Sequence, residues 1–282
     1  MNQLKLKQAV EHFFIEDIGD IDVTSDYLFE DDYEGEIVFH AKQSGVFCGG
    51  NVIFTGFQVL DPSVHVQLLK RDGEKIIQGD TIAFARGRWS SLLKGERVIL
   101  NLVQKMSGIA TLTQDAVFHL QSEHTRISDT RKTTPGLRMF EKYAVRMGGG
   151  FNHRNGLSDA AMIKDNHISF AGSITKAVQE LRKKVGHMVK IEVETETEAQ
   201  VLEAVKAEVD CIMFDNCSVE DIHKFLQLVP SHIITEASGG ITIQDLPLFS
   251  DCAVDYISLG CLTHSAPSLD ISVNVQKNGR GI

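Results

Sequence analysis

Residues Asp129–His167 read DTRKTTPGLRMFEKYAVRMGGGFNHRNGLSDAAMIKDNH. Two short strand-like pieces, Arg126–Thr130 and Ala161–Asp165, flank one helix pattern over Pro135–Met147. Leu137, Phe140, Ala144 and Met147 form the apolar stripe of that helix. Thr134 suits its N-cap, Pro135 its first turn and Gly148 its C-terminal stop. The stretch is therefore one strand–helix–strand unit, and it is basic. From Arg126 to Lys164 eight Lys or Arg face three acids, net +5 in a chain of formal charge -10. A cationic island in an acidic protein points to a pocket for a compact polyanion, whereas nucleic acid calls for an extended basic face.

Towards the C-terminus the same period repeats. After RISDT (126–130) and AMIKD (161–165) come VKIEVE (189–194), CIMFD (211–215), IITEAS (233–238) and YISLG (256–260). Helix patterns lie between them at 173–185, 196–207, 219–229 and 243–249. Such β-α steps build a parallel barrel or an open doubly wound sheet. Neither G-x-G-x-x-G nor a P-loop occurs, which favours the barrel.

Nearly every strand ends in a polar residue: Asp129/Arg131, Lys164/Asp165, Glu192/Glu194, Asp215/Asn216, Glu236/Ser238 and Ser258/Gly260. One such residue is usually a helix cap. Six in succession indicate a shared site, because strand C-termini converge on one rim of a β/α barrel. Arg131 and Lys132 point to opposite sides if the chain is extended, so at least one enters the rim. Arginine suits a planar carboxylate and lysine acts as a point charge. His153 and Arg154 follow three glycines. Lys164, embedded in AMIKDNH, is costly unless it faces an anion or reacts. Glu194 and Asp215 can hold ribose hydroxyls or a hydrated Mg²⁺. Ser238-Gly239-Gly240 and Ser258-Leu259-Gly260, with His264 a turn later, match a phosphate site built from late barrel loops. Arg138, Lys142 and Arg146 step by four along another helix face and are expected on a solvated or subunit-facing edge.

Upstream of the barrel the character changes. Residues 4–15 read as an amphipathic helix, and EDIGDIDVTSD (16–26) as an acidic turn. IVFHAK (37–42), GVFCGG (45–50), VHVQLLK (64–70) and TIAFARG (81–87) read as short strands. DGEKIIQGDTIAFARG (72–87) is expected as a β-sandwich hairpin, while 51–60 is compatible with helix or strand. Val98, Leu102, Met106, Ile109 and Thr113 lie on one face of a long helix over 89–120, where Gly108 marks a break or a close approach.

Composition sets the class. With 43% hydrophobic and 23% charged residues the chain is an ordinary globular protein. It has no membrane-length apolar run and no signal peptide, so a cytoplasmic location is expected. The five cysteines are odd in number and contain no C-x-x-C, which argues against a disulfide framework or a structural zinc.

ERVILNLVQKMSGIAT, DTRKTTPGLR, EKYAVRMGGGFNHRNGLSDAAMIKDNHI, EVE (192–194), FDN (214–216), EASGGI and ISLGCLTHS together resemble the quinolinate phosphoribosyltransferase family. The resemblance covers most of the chain and is dense after residue 96. It implies an α/β fold, an incomplete β/α barrel with an N-terminal α/β open sandwich domain. The expected bounds are 1–105 for the sandwich, 106–267 for the barrel and 268–282 for a segment returning to the first domain. It implies quinolinate and phosphoribosyl pyrophosphate as substrates, Mg²⁺ but no organic cofactor, and a homodimer or higher assembly, without nucleic acid or membrane. By position, Arg131, Lys132, His153, Arg154 and Lys164 resemble the quinolinate-binding set, joined by Arg97 from a neighbouring subunit. Lys132 lies between the two substrates. Glu194 and Asp215 match the ribose and Mg²⁺ carboxylates; Ser238, Gly239, Gly240, Ser258, Gly260 and His264 match the phosphate cradle. Lys132, Lys164, Glu194 and Asp215 are the expected catalytic set. One departure is Ile21, where the family's early motif has glycine. Three rivals carry different predictions: a relative acting on another acid, a Schiff-base lyase using Lys164 or Lys190, and a non-catalytic phosphate-binding barrel.

Overall fold

The computed structural model describes residues 1–29 and 33–276. Its contacts group into two units. One comprises Met1–Gln114, Met139–Gly149 and Ala266–Ile282; the other comprises Asp115–Arg138 and Gly150–Ser265. The expected bounds at 105 and 267 thus sit near, but not on, this division, and the helix after the first barrel strand groups mostly with the first unit. The expected C-terminal segment is described only to residue 276.

The first unit begins with α1 (Gln3–Ile18) and α2 (Ser25–Leu28). Its strands are β1 (Glu34–Ala41), β2 (Gly45–Val46), β3 (His65–Leu68), β4 (Lys75–Ile76) and β5 (Thr81–Arg88), with α3 (Gly50–Leu60) between β2 and β3. The last strand of the chain, β12 (Ile271–Gln276), pairs antiparallel with β1, giving a sheet of order β12-β1-β5-β3. Residues 51–60 resolve to helix: Val52, Ile53, Gly56 and Phe57 bury one stripe of it. The hairpin expected over 72–87 is absent. β4 pairs with β2, while β5 pairs with β1 and β3. Gly79, at φ +96°, turns the chain between them, so adjacent segments enter different sheets.

The long helix α4 (Trp89–Leu120) is unbroken. Its expected face is buried, from Val98 at 8% exposure to Ile109 and Thr113 at 0%. Gly108 is a close approach: a Cβ there would stand 1.9 Å from the Pro267 carbonyl oxygen. Backbone cannot yield as a side-chain tip does. Gly108→Ala is therefore expected to cost about 3 kcal/mol, read as a lower midpoint in urea unfolding with an unchanged slope.

The second unit carries six parallel strands: β6 (Arg126–Ser128), β7 (Ala161–Ile163), β8 (Ile191–Thr195), β9 (Cys211–Asp215), β10 (Ile234–Ser238) and β11 (Tyr256–Ser258). Their order is β6-β11-β10-β9-β8-β7. The first strand lies beside the last, so the sheet curls round as a barrel but has no ladder between β6 and β7 among the described residues. Residues just before β7 fill part of that seam. Phe151 bridges Ser128 in parallel, its N–H donating to Ile127 O at 2.8 Å. The helices after β6 are α5 (Arg138–Met147), which groups mostly with the first unit, then α6 (Asp165–Ala171), α7 (Ile174–Arg182), α8 (Glu198–Lys206), α9 (Val219–Leu226), a 3-10 helix (Ile243–Phe249) and α10 (Cys261–His264).

Two local expectations change. α5 starts at Arg138, not Pro135, because Gly136 takes φ +83° and stops the helix from forming through it. The Arg138–Lys142–Arg146 stripe is not a uniform solvated edge either. Lys142 is 2% exposed beside the fully buried Glu141, while Arg138 donates to Thr133 Oγ1 and Asn155 O.

Candidate active site

Most of the polar strand ends are not helix caps; Lys164 and Gly260, at the N-caps of α6 and α10, are the exceptions. The caps are supplied further along, by Ser173, Thr197 and Ser218, whose side chains accept from Lys176, Gln200 and Asp221 N–H. Glu194 and Asp215 are therefore released from local duty. They line a cavity of about 320 Å³ at the strand C-termini, with Thr130, Arg131, Lys132, His153, Arg154, Lys164, Ser238 and Ser258. Nine expected site residues thus meet in one place. Arg97 is exposed on α4 of the first unit and is not among the lining residues.

The basic side is built for an anion. Arg131 Nη1 is buried and has no hydrogen-bond partner among the described residues. Burial, then the nearby charge of Arg131, holds Arg154 below the usual arginine range. Two guanidiniums this close repel in the absence of a ligand, and a carboxylate between them relieves both. Arg154 is held in place by donation to Ala160 O at 3.1 Å. Lys164 lies just past β7 rather than within it, as the N-cap residue of α6, and its ammonium pairs with Glu194. Its side chain is 45% exposed, so the apolar burial expected from the sequence around it does not arise.

The side expected to take a phosphate is set by turns. Gly239 takes φ +92°, and a Cβ there would stand 2.3 Å from Asn216 Oδ1; Gly240 takes φ +64°. A Cβ on Gly260 would lie 3.0 Å from Lys132 Cδ and 3.1 Å from His264 Nε2. Gly260 thereby brings the Lys132 stem and the His264 ring to one turn. Lys132 stands on this side of the pocket, with its carbonyl accepting from Thr263 Oγ1 at 2.7 Å.

Beneath the rim lies a layer to which the sequence reading gave no role, although it counted Glu192 and Glu236 among the strand-end residues of the shared site. Met162, Glu192, Met213 and Glu236 each precede a rim residue (Lys164, Glu194, Asp215, Ser238) by two. Strand side chains alternate, so each pair points inward, and that period was the signal available. Met162, Met213 and Glu236 line the pocket. His153 Nε2 lies 3.0 Å from Glu192 Oε2 and 3.6 Å from Glu236 Oε2. His153 Nδ1 accepts from Arg154 N–H at 2.8 Å, which leaves the ring proton on Nε2, between the carboxylates. Donor atoms of the three residues lie within 4.8 Å of one another, and that shared proton satisfies the arrangement. The segment is anchored by Asp129, 0% exposed, whose carboxylate accepts from His153 N–H at 2.9 Å and Asn152 Nδ2 at 2.6 Å.

Burial, and after it the Glu192 carboxylate, push Glu236 from 4.5 up to about 7. The folded state therefore prefers the protonated form. Its contribution to stability is complete below the unfolded value and is lost as pH rises towards 7. Glu236→Gln removes that loss. Relative to the parent, the variant should gain on the order of 3 kcal/mol more at pH 8 than at pH 4, seen as a larger rise in melting temperature at the higher pH.

An open barrel with two neighbouring half-buried guanidiniums, a glycine-turn cradle and carboxylates between them has the makings of an enzyme site for anionic substrates. Comparison with known proteins narrows this class. The family model for quinolinate phosphoribosyl transferase, C-terminal domain, matches residues 109–274, and that for its N-terminal domain matches 22–107. A probable nicotinate-nucleotide pyrophosphorylase [carboxylating] of Bacillus subtilis (strain 168) is 54% identical over 100% of this chain and 97% of its own length. One from Synechocystis sp. is 42% identical over 95% and 92%. The crystal structure of NadC from Streptococcus pyogenes superposes with a TM-score of 0.94 at 39% identity, covering 98% of this chain and 99% of that one. The chain belongs to the quinolinate phosphoribosyl transferase family.

Proposed function

We propose that the protein transfers the phosphoribosyl group of phosphoribosyl pyrophosphate to quinolinate with decarboxylation, giving nicotinate mononucleotide, pyrophosphate and CO₂ for NAD synthesis. Family membership supports the reaction. The structural observation that carries the acid specificity is the buried, unpartnered Arg131 Nη1 beside Arg154. Arg131, Arg154 and Lys164 hold the two carboxylates and turn the ring nitrogen towards the sugar. Fixing that geometry removes much of the entropic barrier. Ser238, Gly239, Gly240, Ser258, Gly260 and His264 hold the 5′-phosphate. Lys132, between the halves, meets the charge that develops on the departing pyrophosphate, and Glu194 or Asp215 steadies the cationic sugar carbon.

The donor set fits Mg²⁺, which takes few carboxylates and several waters and phosphate oxygens. Asp215 would hold it directly, and Glu194, already paired with Lys164, through water. When bound, the ion neutralises pyrophosphate. The enzyme acts in the cytoplasm as a homodimer in which Arg97 of one copy serves the other copy's site. No helix among the described residues is long and apolar enough to cross a membrane.

The test is incubation with quinolinate, phosphoribosyl pyrophosphate and Mg²⁺, following mononucleotide and CO₂, with nicotinate as control acceptor. Borohydride in the presence of substrate traps an adduct only if Lys164 or Lys190 forms a Schiff base. Lys190 precedes β8, at the strand end opposite the rim, which disfavours it.

A further inference from the structure

We infer that Glu236 is the acid that protonates the ring carbon from which CO₂ departs, with Glu192 and His153 holding it in place. The inference rests on the activity proposed above. That reaction needs a proton that neither substrate brings. Once the ring nitrogen carries the ribose, the bond from the adjacent carbon to its carboxylate breaks. The carboxylate leaves as CO₂ and the electron pair stays on the ring carbon, stabilised by the cationic nitrogen. A new C–H bond closes the sequence. Its proton comes from the Glu236 carboxyl, which becomes a carboxylate and is reprotonated from solvent after product leaves.

The placement follows from β10. The ring nitrogen must face the ribose, and the ribose phosphate sits on the turn at Ser238–Gly240. The carbon next to that nitrogen therefore lies over the same strand. Glu236 is two residues before Ser238, on the same inward face, and lines the pocket at 4% exposure. Its Oε1 is buried and unpartnered among the described residues, while Oε2 faces His153. Oε2 lies 3.6 Å from His153 Nε2, and the Ser258 hydroxyl is the other polar group beside the carboxyl.

The other proton carriers are committed elsewhere. Lys164 is paired with Glu194, Lys132 stands at the Gly260 turn, and the His153 proton lies between two carboxylates. Of the groups that face Glu236, Glu192 from β8 and Asp129 at the end of β6 favour its proton-bearing form, while His153 and the Ser258 hydroxyl on β11 favour the carboxylate; burial is the largest influence and favours the proton-bearing form. Cys211 on β9 lies against Glu192 at 3.5 Å. A neutral acid also tolerates the substrate carboxylate above it, where an ionised one would repel it.

The experiment counts both products of one reaction. Glu236→Gln keeps shape and hydrogen bonding but removes the transferable proton. Pyrophosphate release should stay within about threefold of the parent, while CO₂ release falls about 30-fold or more. A mononucleotide that still carries both carboxylates should accumulate, because unprotonated carbanion recaptures CO₂. Glu236→Asp, which restores an acid, should return the CO₂-to-pyrophosphate ratio towards one. In the parent enzyme that ratio should fall as pH rises through neutrality, and in the Gln variant it should be flat. Equal losses of both products in a folded Gln variant, or no loss of either, overturn the assignment. Should that variant not fold, a Glu236→Asp enzyme whose two products remain coupled across the whole pH range overturns it as well. A parent enzyme that releases no pyrophosphate overturns the proposed activity, and the donor with it.

Discussion

Lys164→Ala is expected to lower kcat/KM for quinolinate by roughly 10³-fold, because two losses act in the same direction. The ammonium is one proposed anchor for the acid. It is also the partner of Glu194, and without it that carboxylate turns an uncompensated negative charge towards a dianionic substrate. The fold should be spared, since the Lys164 side chain is 45% exposed at the mouth of the pocket and supports no core. Steady-state rates read the first effect and thermal melts the second. Lys164→Ala/Glu194→Gln should recover part of the binding, because the repulsive charge is gone. A single variant within fivefold of the parent, with a normal melt, would remove Lys164 from the site.

Arg131→Ala should be the second large effect, mainly in KM, with a rise of about 100-fold for quinolinate. Arg131→Lys should rescue little, since a point charge does not replace a two-pronged donor. The same change should make the ligand-free protein more stable. It removes a buried donor with no partner among the described residues and relieves Arg154 of a like charge. Melts should therefore show a higher midpoint without quinolinate and a smaller upward shift on adding it. A variant destabilised without ligand would mean that Arg131 is structural.

Much of this site was legible because strand ends are local. The β-α period of 126–260 and the polar residue closing each strand can be read from spacing alone, and nine expected residues do line one cavity. The long helix was legible for the same reason, since its face repeats at helical spacing. What escaped depends on partners far along the chain. The 72–87 segment looks like a hairpin, yet β4 finds β2 and β5 finds β1. Lys142 looks like a solvated residue, and only the packing of α5 buries it. Glu192 and Glu236 were visible as strand-end acids. Their position one layer below the rim, facing His153, required the barrel to close around them.

The unpaired seam between β6 and β7 has a consequence for how such a site can evolve. His153 and Arg154 ride on a segment tied to β6 by Asp129 and the Phe151 bridge, outside any strand ladder. The proposed phosphate cradle, by contrast, hangs from β10 and β11 in the middle of the sheet. Insertions or substitutions in the seam can reshape what the acid end accepts without shifting the register of a single strand. The sugar-phosphate end has no such freedom. A lineage descended from this architecture can exchange its acceptor while keeping its donor.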